Sequence, residues 1–502
     1  MRRAGRLMTA PPMPPPSPSP SRRRLRPVAV VAGVLSAVAV LTLAVVWISG
    51  PGPRCGGPLL ASGSCAEPLG PRPRADDRPD PAPAGGLGAL EVSSNGRFLQ
   101  FTNGEPFFYL ADTGWELFHR ASREDARRYL DTRAEQGFTV IQAVALAEKG
   151  GLDVPTPAGH LPLVDEDPAR PAVEPGPDND YWDDVDYMID YANSKGMFVA
   201  IWVAWGSMAV DGPEVLDEGN ARTYGEFLGA RYSDRDVIFV LGGDRDAGEG
   251  ANTPEVWGAL AKGIRTTGTA GHLISYHPWG EQSSTDMWSN GDTVLDFNMI
   301  QSGHKEKPLE AIAEQLAEVY RKEPAIPVFD GEARYEEHPV NWDSAVGWHV
   351  AGDTRGAAYY QVFAGAFGHT YGDGAVHQFW EPGMDAPYEV RDAWYEALQH
   401  EGARQMRYLK ELMLSRSYFD RIPDQGFVTS GDGRATRSES GTWAMVYLHH
   451  GGSTEVDLSA LAGPVRAVTW FNPRTGESMP GSGTGPEFTA PDDDDWVLVL
   501  DA

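Results

Sequence analysis

The chain has 502 residues, too many for one compact core, so two or more folded units are expected. Its formal net charge of −29 argues against nucleic acid as the main partner, because phosphate binding needs clustered Lys and Arg; the charge suits a soluble secreted protein. With 41% hydrophobic residues and 15 Trp, it has material for a large core and aromatic rings of the kind that stack on sugars.

The N-terminus is basic (MRRAGRLM, SRRRLR) and then runs without a charge through Val28–Ser49. Roughly 20 such residues span a bilayer as a helix. The basic flank places residues 1–27 in the cytoplasm and everything after 28–49 outside. The span is read as a signal-anchor or a long signal peptide. The anchor is preferred, since no convincing A-x-A site follows closely. The expected location is therefore extracytoplasmic: a single-pass protein at the cell surface, or secreted if the segment is cleaved. Cys55 and Cys65 are spaced for a small disulfide loop in an oxidising compartment, and SGSCA supplies no convincing lipobox. Residues 50–88, rich in Pro, Gly and Ala, read as a disordered tether.

Residues 89–414 alternate between strand and helix signals. FFYLAD is a strand, and SREDARRYLDTRAEQG is a helix with Ser122 as N-cap and Gly137 as stop. FTVIQAVAL, MFVAIWVAWG, VIFVLGGD, HLISYHPWG, LDFNMIQSGH and IPVFDGE are further strands, and AVHQFW is read as the last. Helical patterns occupy 181–196, 220–234, 255–268, 309–322 and 355–368, and GARQMRYLKELMLS closes the unit. Continuous apolar strands alternating with helices predict an α/β fold, a (β/α)8 TIM-type barrel. No Gly-x-Gly-x-x-Gly follows a strand, which weakens a dinucleotide-binding alternative. Residues 415–502 change to short runs between Gly and Asn-Pro turns, predicting a small antiparallel β-sandwich. The Asp492–Asp495 run reads as a solvated turn.

Catalytic groups of such barrels lie at the C-terminal ends of the strands. Those ends carry Asp112, Trp115, Gln142, Trp205, Asp244, Arg245, His277, Gln301, His304, Glu332 and Arg334, with Glu336 and His369 nearby. No His-Glu-x-x-His, Gly-x-Ser-x-Gly or phosphate loop is present, and no metal or cofactor is expected. What stands out is a pair of carboxylates, Asp244 after strand four and Glu332 after strand seven. Glycoside hydrolysis needs one group to protonate the leaving oxygen and another to attack or to activate water, with carboxyls ~5–5.5 Å apart for retention and ~6.5–9.5 Å for inversion. Arg334 near Glu332 would keep it ionised. From spacing alone, salt-bridged scaffold residues are the competing reading.

Over residues 95–430 the chain resembles the apiosidase-like glycoside hydrolases, glycoside hydrolase family 140, through PFFYLADTGWELFHR, LGGDR, YHPWG, LDFNMIQSGH, DGEARYEEHPVN, AGAFGHTYG and QMRYLKELMLSR. The C-terminal region is similar to the β domain of collagen-binding type that accompanies that family. The resemblance implies an exo-acting enzyme that removes a terminal apiose-type sugar from pectin side chains, with Asp244 as acid/base and Glu332 as nucleophile. From their placement, substrate contacts are expected among the strand-end residues named above. The expected partners are an oligo- or polysaccharide substrate and, through the N-terminal segment, a membrane. The alternative is a surface carbohydrate- or matrix-binding protein with an inactive barrel.

Overall fold

The structure, a computed structural model, describes residues 86–267 and 272–502. The expected cytoplasmic segment, membrane span, both cysteines and nearly all of the tether lie outside the described residues. Among those described, no helix is long and apolar enough to cross a membrane.

The strands are Tyr109–Thr113 (β1), Val140–Val144 (β2), Phe198–Trp202 (β3), Val237–Gly242 (β4), Ile274–His277 (β5), Asn298–Gln301 (β6), Val328–Glu332 (β7) and Gly368–Tyr371 (β8). All eight are buried along their whole length, because helices cover them outside and side chains fill the inside. The main helices are Arg123–Glu135 (α1), Tyr181–Ser194 (α2), Glu218–Arg231 (α3), Pro254–Thr267 (α4), Leu309–Tyr320 (α5), Ala351–Phe363 (α6) and Glu401–Leu414 (α7). Ser122 caps α1 as expected, in a reciprocal capping box with Asp125. Between β5 and β6 there is only a short 3-10 turn, Ser284–Asp286.

Hydrogen bonding gives a TIM-like arrangement. Six strands form one parallel sheet in the order β8-β1-β2-β3-β4-β5, and β6 and β7 form a parallel pair. A backbone bond spans each seam: Asp296 N–H donates to Ile274 O at 2.9 Å, and Phe367 N–H to Val328 O at 3.1 Å. The continuous ladder of an ideal barrel is thus interrupted twice. The interior is nonetheless filled, with Tyr109, Phe297, Phe329 and Phe367 in mutual ring contact and Tyr109–Phe329 centroids 4.6 Å apart.

The last strand differs from expectation. AVHQFW forms a 3-10 turn over Val376–Gln378, and the eighth strand is GHTY, which pairs with β1 from Gly368↔Tyr109 to Tyr371↔Asp112. A Cβ on Gly368 would lie 2.2 Å from Tyr109 O, so the close approach of the two backbones needs glycine there.

Beyond α7, a six-stranded antiparallel sheet and a three-stranded one enclose a core of Phe427, Val446, Val456, Phe488 and Leu498. The central strands Trp443–Leu448 and Trp496–Asp501 are apolar rather than alternating, because both faces are covered. Ala444, Val446 and Leu448 face this small core, while Trp443, Met445 and Tyr447 join the main core. Tyr447 stacks on Tyr359 of α6 with centroids 4.6 Å apart. Asp495, expected in a solvated turn, is buried and pairs bidentately with Arg355 of α6 at 2.6 and 2.8 Å, also accepting from Tyr447 OH. Truncating one partner leaves the other charge buried. Asp495→Ala is therefore expected to cost about 3–5 kcal/mol in a urea unfolding experiment, and the apolar pair Arg355→Met/Asp495→Leu to recover most of it. An unchanged unfolding midpoint in Asp495→Ala would refute this role.

Candidate active site

β4 ends in Gly242-Gly243-Asp244. Gly242 has φ +70°, and a Cβ there would meet the Tyr276 ring at 2.4 Å; Asp244 itself sits at φ +55°. Asp tolerates this left-handed conformation better than most residues. The turn carries the Asp244 carboxyl into a cavity of about 290 Å³ at the C-terminal ends of the strands.

Glu332 enters the same cavity by another device. Asp330 pairs with Ile300 and Glu332 with Gln301, so Gly331 is one residue too many on β7. Without this bulge, residues two apart would share a face. With it, Asp330 bonds Ser302 Oγ at 2.5 Å and Gln361 of α6, while Glu332 lines the cavity. A Cβ on Gly331 would lie 2.2 Å from Met299 Sδ, so any side chain in the bulge would have to displace Met299.

Two imidazoles face Glu332. His304 Nε2 lies 2.9 Å from Oε1, and His277 Nε2 lies 3.4 Å from Oε2. Burial lowers both rings to about 3, so both are neutral. Trp202 Nε1–H donates to His277 Nδ1 at 2.8 Å, which places the His277 proton on Nε2, toward Glu332. Burial raises Asp244 to about 7, with the Glu332 charge as the next cause; burial raises Glu332 to about 8, with the Asp330 charge next. The Gln301 side chain acts on both carboxyls and lowers each.

Trp115 and Trp205 form an aromatic wall, centroids 5.3 Å apart, with Trp202 and His277 beneath. Across from it, Lys149 Nζ donates to Gln378 Oε1 at 2.7 Å, and burial lowers its ammonium to about 8. Buried polar atoms are normally paired. Here Trp205 Nε1, Gln301 Oε1 and His304 Nδ1 are buried without a hydrogen-bond partner around one cavity. That concentration suits a ligand rich in hydroxyl groups.

Of the residues selected from sequence, Asp244, Glu332, Trp115, Trp205, Gln301 and His304 line the cavity, and His277 lies directly behind Glu332. Six others do not line it. Asp112 points outward to Arg133 at 2.8 Å and Tyr129 OH at 2.5 Å. Gln142 lies inside the barrel, bonded to Gly331 O and Thr370. Arg245 turns to Glu148 and Asp211, both at 2.8 Å, and donates to the backbone O of Asp244. Arg334, expected to hold Glu332 ionised, donates instead to Lys307 O. Glu336 accepts from Tyr371 OH at 2.6 Å and Gly402 N at 3.1 Å. His369 is buried in β8. Strand-end position gives the right end of the barrel but not the side on which a side chain emerges. Tyr335, His338, Trp342 and Tyr388 line the cavity without having been selected. Tyr335 and His338 lie in the quoted DGEARYEEHPVN; Trp342 and Tyr388 come from loops with no strand pattern to mark them.

Residues 93–420 match the family described as apiosidase-like, catalytic domain, and residues 422–501 match "Putative collagen-binding domain of a collagenase". The chain belongs to the apiosidase-like glycoside hydrolases. It is similar to a solved structure described as a glycoside hydrolase family 5 from Bacteroides vulgatus ATCC 8482, with TM-score 0.76 and 32% identity over 83% of this chain and 94% of that one. A second, described as a glycoside hydrolase, gives 0.75 and 33% over 83% and 97%. A third from the same Bacteroides, at 14% identity and TM-score 0.59, shares the fold. No curated protein matches. This apiosidase-like chain is accordingly a glycosidase.

Two carboxyls with raised proton affinity, Glu332 buried and Asp244 partly so, have a consequence for stability. Each holds its proton in the folded state at a pH where the unfolded chain has released it. Stability from these groups is therefore full below about pH 4 and is lost as pH rises toward 7–8. Amides do not titrate. In thermal scans Glu332→Gln and Asp244→Asn are expected to melt at least about 2 °C above the parent at pH 8, with a smaller gain at pH 5. A gain independent of pH would refute this.

Proposed function

We propose that this apiosidase-like glycosidase is an exo-acting enzyme that works outside the cytoplasm and releases a terminal apiose-type sugar from pectin-type side chains. Asp244 serves as general acid/base and Glu332 as nucleophile. The carrying observation is the pair of carboxyls in one cavity, ringed by unpartnered polar atoms. Once ionised, Glu332 attacks the anomeric carbon through Oε2, which faces His277 Nε2 at 3.4 Å, while the neutral N–H of His304 supports the negative charge on Oε1. Burial raises Glu332 to about 8 and Asp244 to about 7, so the pair keeps a proton near neutral pH, and in the reactive form Glu332 is ionised and Asp244 holds that proton. It delivers that proton to the glycosidic oxygen as the C–O bond breaks. In the second step it takes a proton from the water that attacks the glycosyl–Glu332 ester, which regenerates both groups. The cavity of about 290 Å³ suits one terminal residue. The basic flank and apolar 28–49 segment support an extracytoplasmic location.

The test is incubation of the purified protein with apiose-bearing pectic oligosaccharides and chromatography of the products. Free apiose supports the assignment. Another released monosaccharide overturns the substrate, and bound but uncleaved glycan supports the inactive-barrel alternative.

A further inference from the structure

Trp279 and Trp342 are the two exposed tryptophans among the described residues, at 40% and 48%, and both line the mouth of the cavity. They line the same cavity as the carboxyl pair and come from the loops after β5 and β7. Trp279 follows β5 and has the Arg245 guanidinium over its ring at 5.9 Å; the same Arg245 bonds the Asp244 backbone. Trp342 follows β7 and contacts His304 edge-on, centroids 5.6 Å apart, and His304 bonds Glu332.

Trp342 is held in this position against its own preference. Asn341 and Trp342 have φ +56° and +61°. Asn visits this region; for a bulky residue it is a genuine outlier. The surrounding loop fixes it. Pro339 pairs with Trp348, Trp342 N–H donates to Pro339 O at 3.0 Å, and Asn341 Oδ1 accepts from Glu306 N–H at 3.0 Å. The loop thus uses its internal bonds to present a half-exposed indole to solvent. A packing role would bury that ring, and a stability role would not place it at positive φ.

We infer that Trp279 and Trp342 form a stacking platform at the cavity mouth for the sugar rings on the leaving-group side of the cleaved bond. The preferred substrate is then an oligosaccharide with pyranose rings beyond the scissile linkage, rather than a simple glycoside. A terminal residue in the cavity leaves its chain only the mouth as an exit, and the indole faces there match the apolar faces of such rings. This inference rests on the glycosidase reading of the site and adds what lies beyond the released sugar.

The experiment compares an apiose-bearing pectic oligosaccharide with apiosyl fluoride, whose leaving group has no ring. Trp342→Ala is expected to lose about tenfold more kcat/KM on the oligosaccharide than on the fluoride, mainly through KM, with Trp342→Phe restoring most of it. Trp279→Ala should show the same split. Equal losses on the two substrates by a folded variant overturn the inference while leaving the glycosidase reading intact. Failure of the parent on both substrates overturns that reading instead. Oligosaccharide titration of Glu332→Gln, followed by tryptophan emission, tests the platform without turnover: added Trp342→Ala should weaken binding about tenfold, and unchanged binding overturns the platform. Trp342→Gly, which accepts the same φ, should melt no lower than the parent; a large drop in its melting temperature would assign the ring to packing.

Discussion

Glu332→Gln is expected to retain the fold and lose roughly 10⁴-fold or more in kcat, the scale seen when an enzyme loses its nucleophile. The amide has nearly the same shape and can still accept from His304, so the cavity survives. What disappears is the anionic oxygen that forms the glycosyl ester. The Gly331 bulge turns this side chain inward, and a side chain at 331 would have to displace Met299 beside it. Release of apiose from pectic oligosaccharide, with circular dichroism to verify folding, checks the prediction. Activity within tenfold of the parent would remove Glu332 from the mechanism.

Asp244→Asn is expected to cost roughly 10²–10⁴ on oligosaccharides, the range for loss of a general acid, and much less on apiosyl fluoride, which needs no protonation to depart. It should also change the pH profile. In the parent, burial raises both carboxyls, to about 7 and about 8, so the pair retains one shared proton near neutrality. Activity should fall as pH rises and that proton is lost. It should also fall in acid, when the second proton binds. In Asp244→Asn only Glu332 titrates. The alkaline limb should disappear, leaving a single rise with pH as Glu332 ionises. A variant that keeps the parent's alkaline limb would show that this limb belongs to another group.

The fold was legible where local rules and global packing agree. Ser122 caps its helix, and the eight-strand count follows from apolar runs bounded by helix signals. The error over the last strand has a physical origin. GHTY is short and half polar, yet it forms β8 because backbone proximity at Gly368 favours pairing with β1, whereas AVHQFW looks apolar and curls into a 3-10 turn. Asp244 could be found because a glycine pair ending a buried strand marks a turn. The orientation of Asp112 and Glu336 could not be found, since strand-end position does not say which side of the barrel wall a side chain takes. The Gly331 bulge lay equally out of reach: Asp330 and Glu332 are two apart and would be assigned to one face. Arg334 shows the same limit, near Glu332 in sequence but bonded to Lys307 O. Trp342 depends on a loop conformation that a bulky residue rarely adopts, so no propensity pointed to it.

The most direct measurement of the carboxyl roles is azide rescue on an activated apioside, with the anomeric configuration of the glycosyl azide read by NMR. Azide should restore turnover to Asp244→Ala with retained configuration, because Glu332 still forms the ester that azide then displaces. In Glu332→Ala, azide should occupy the vacated space and give the inverted product. The opposite pairing of variant and configuration, or rescue of neither variant, would contradict the assignment of Asp244 as acid/base and Glu332 as nucleophile.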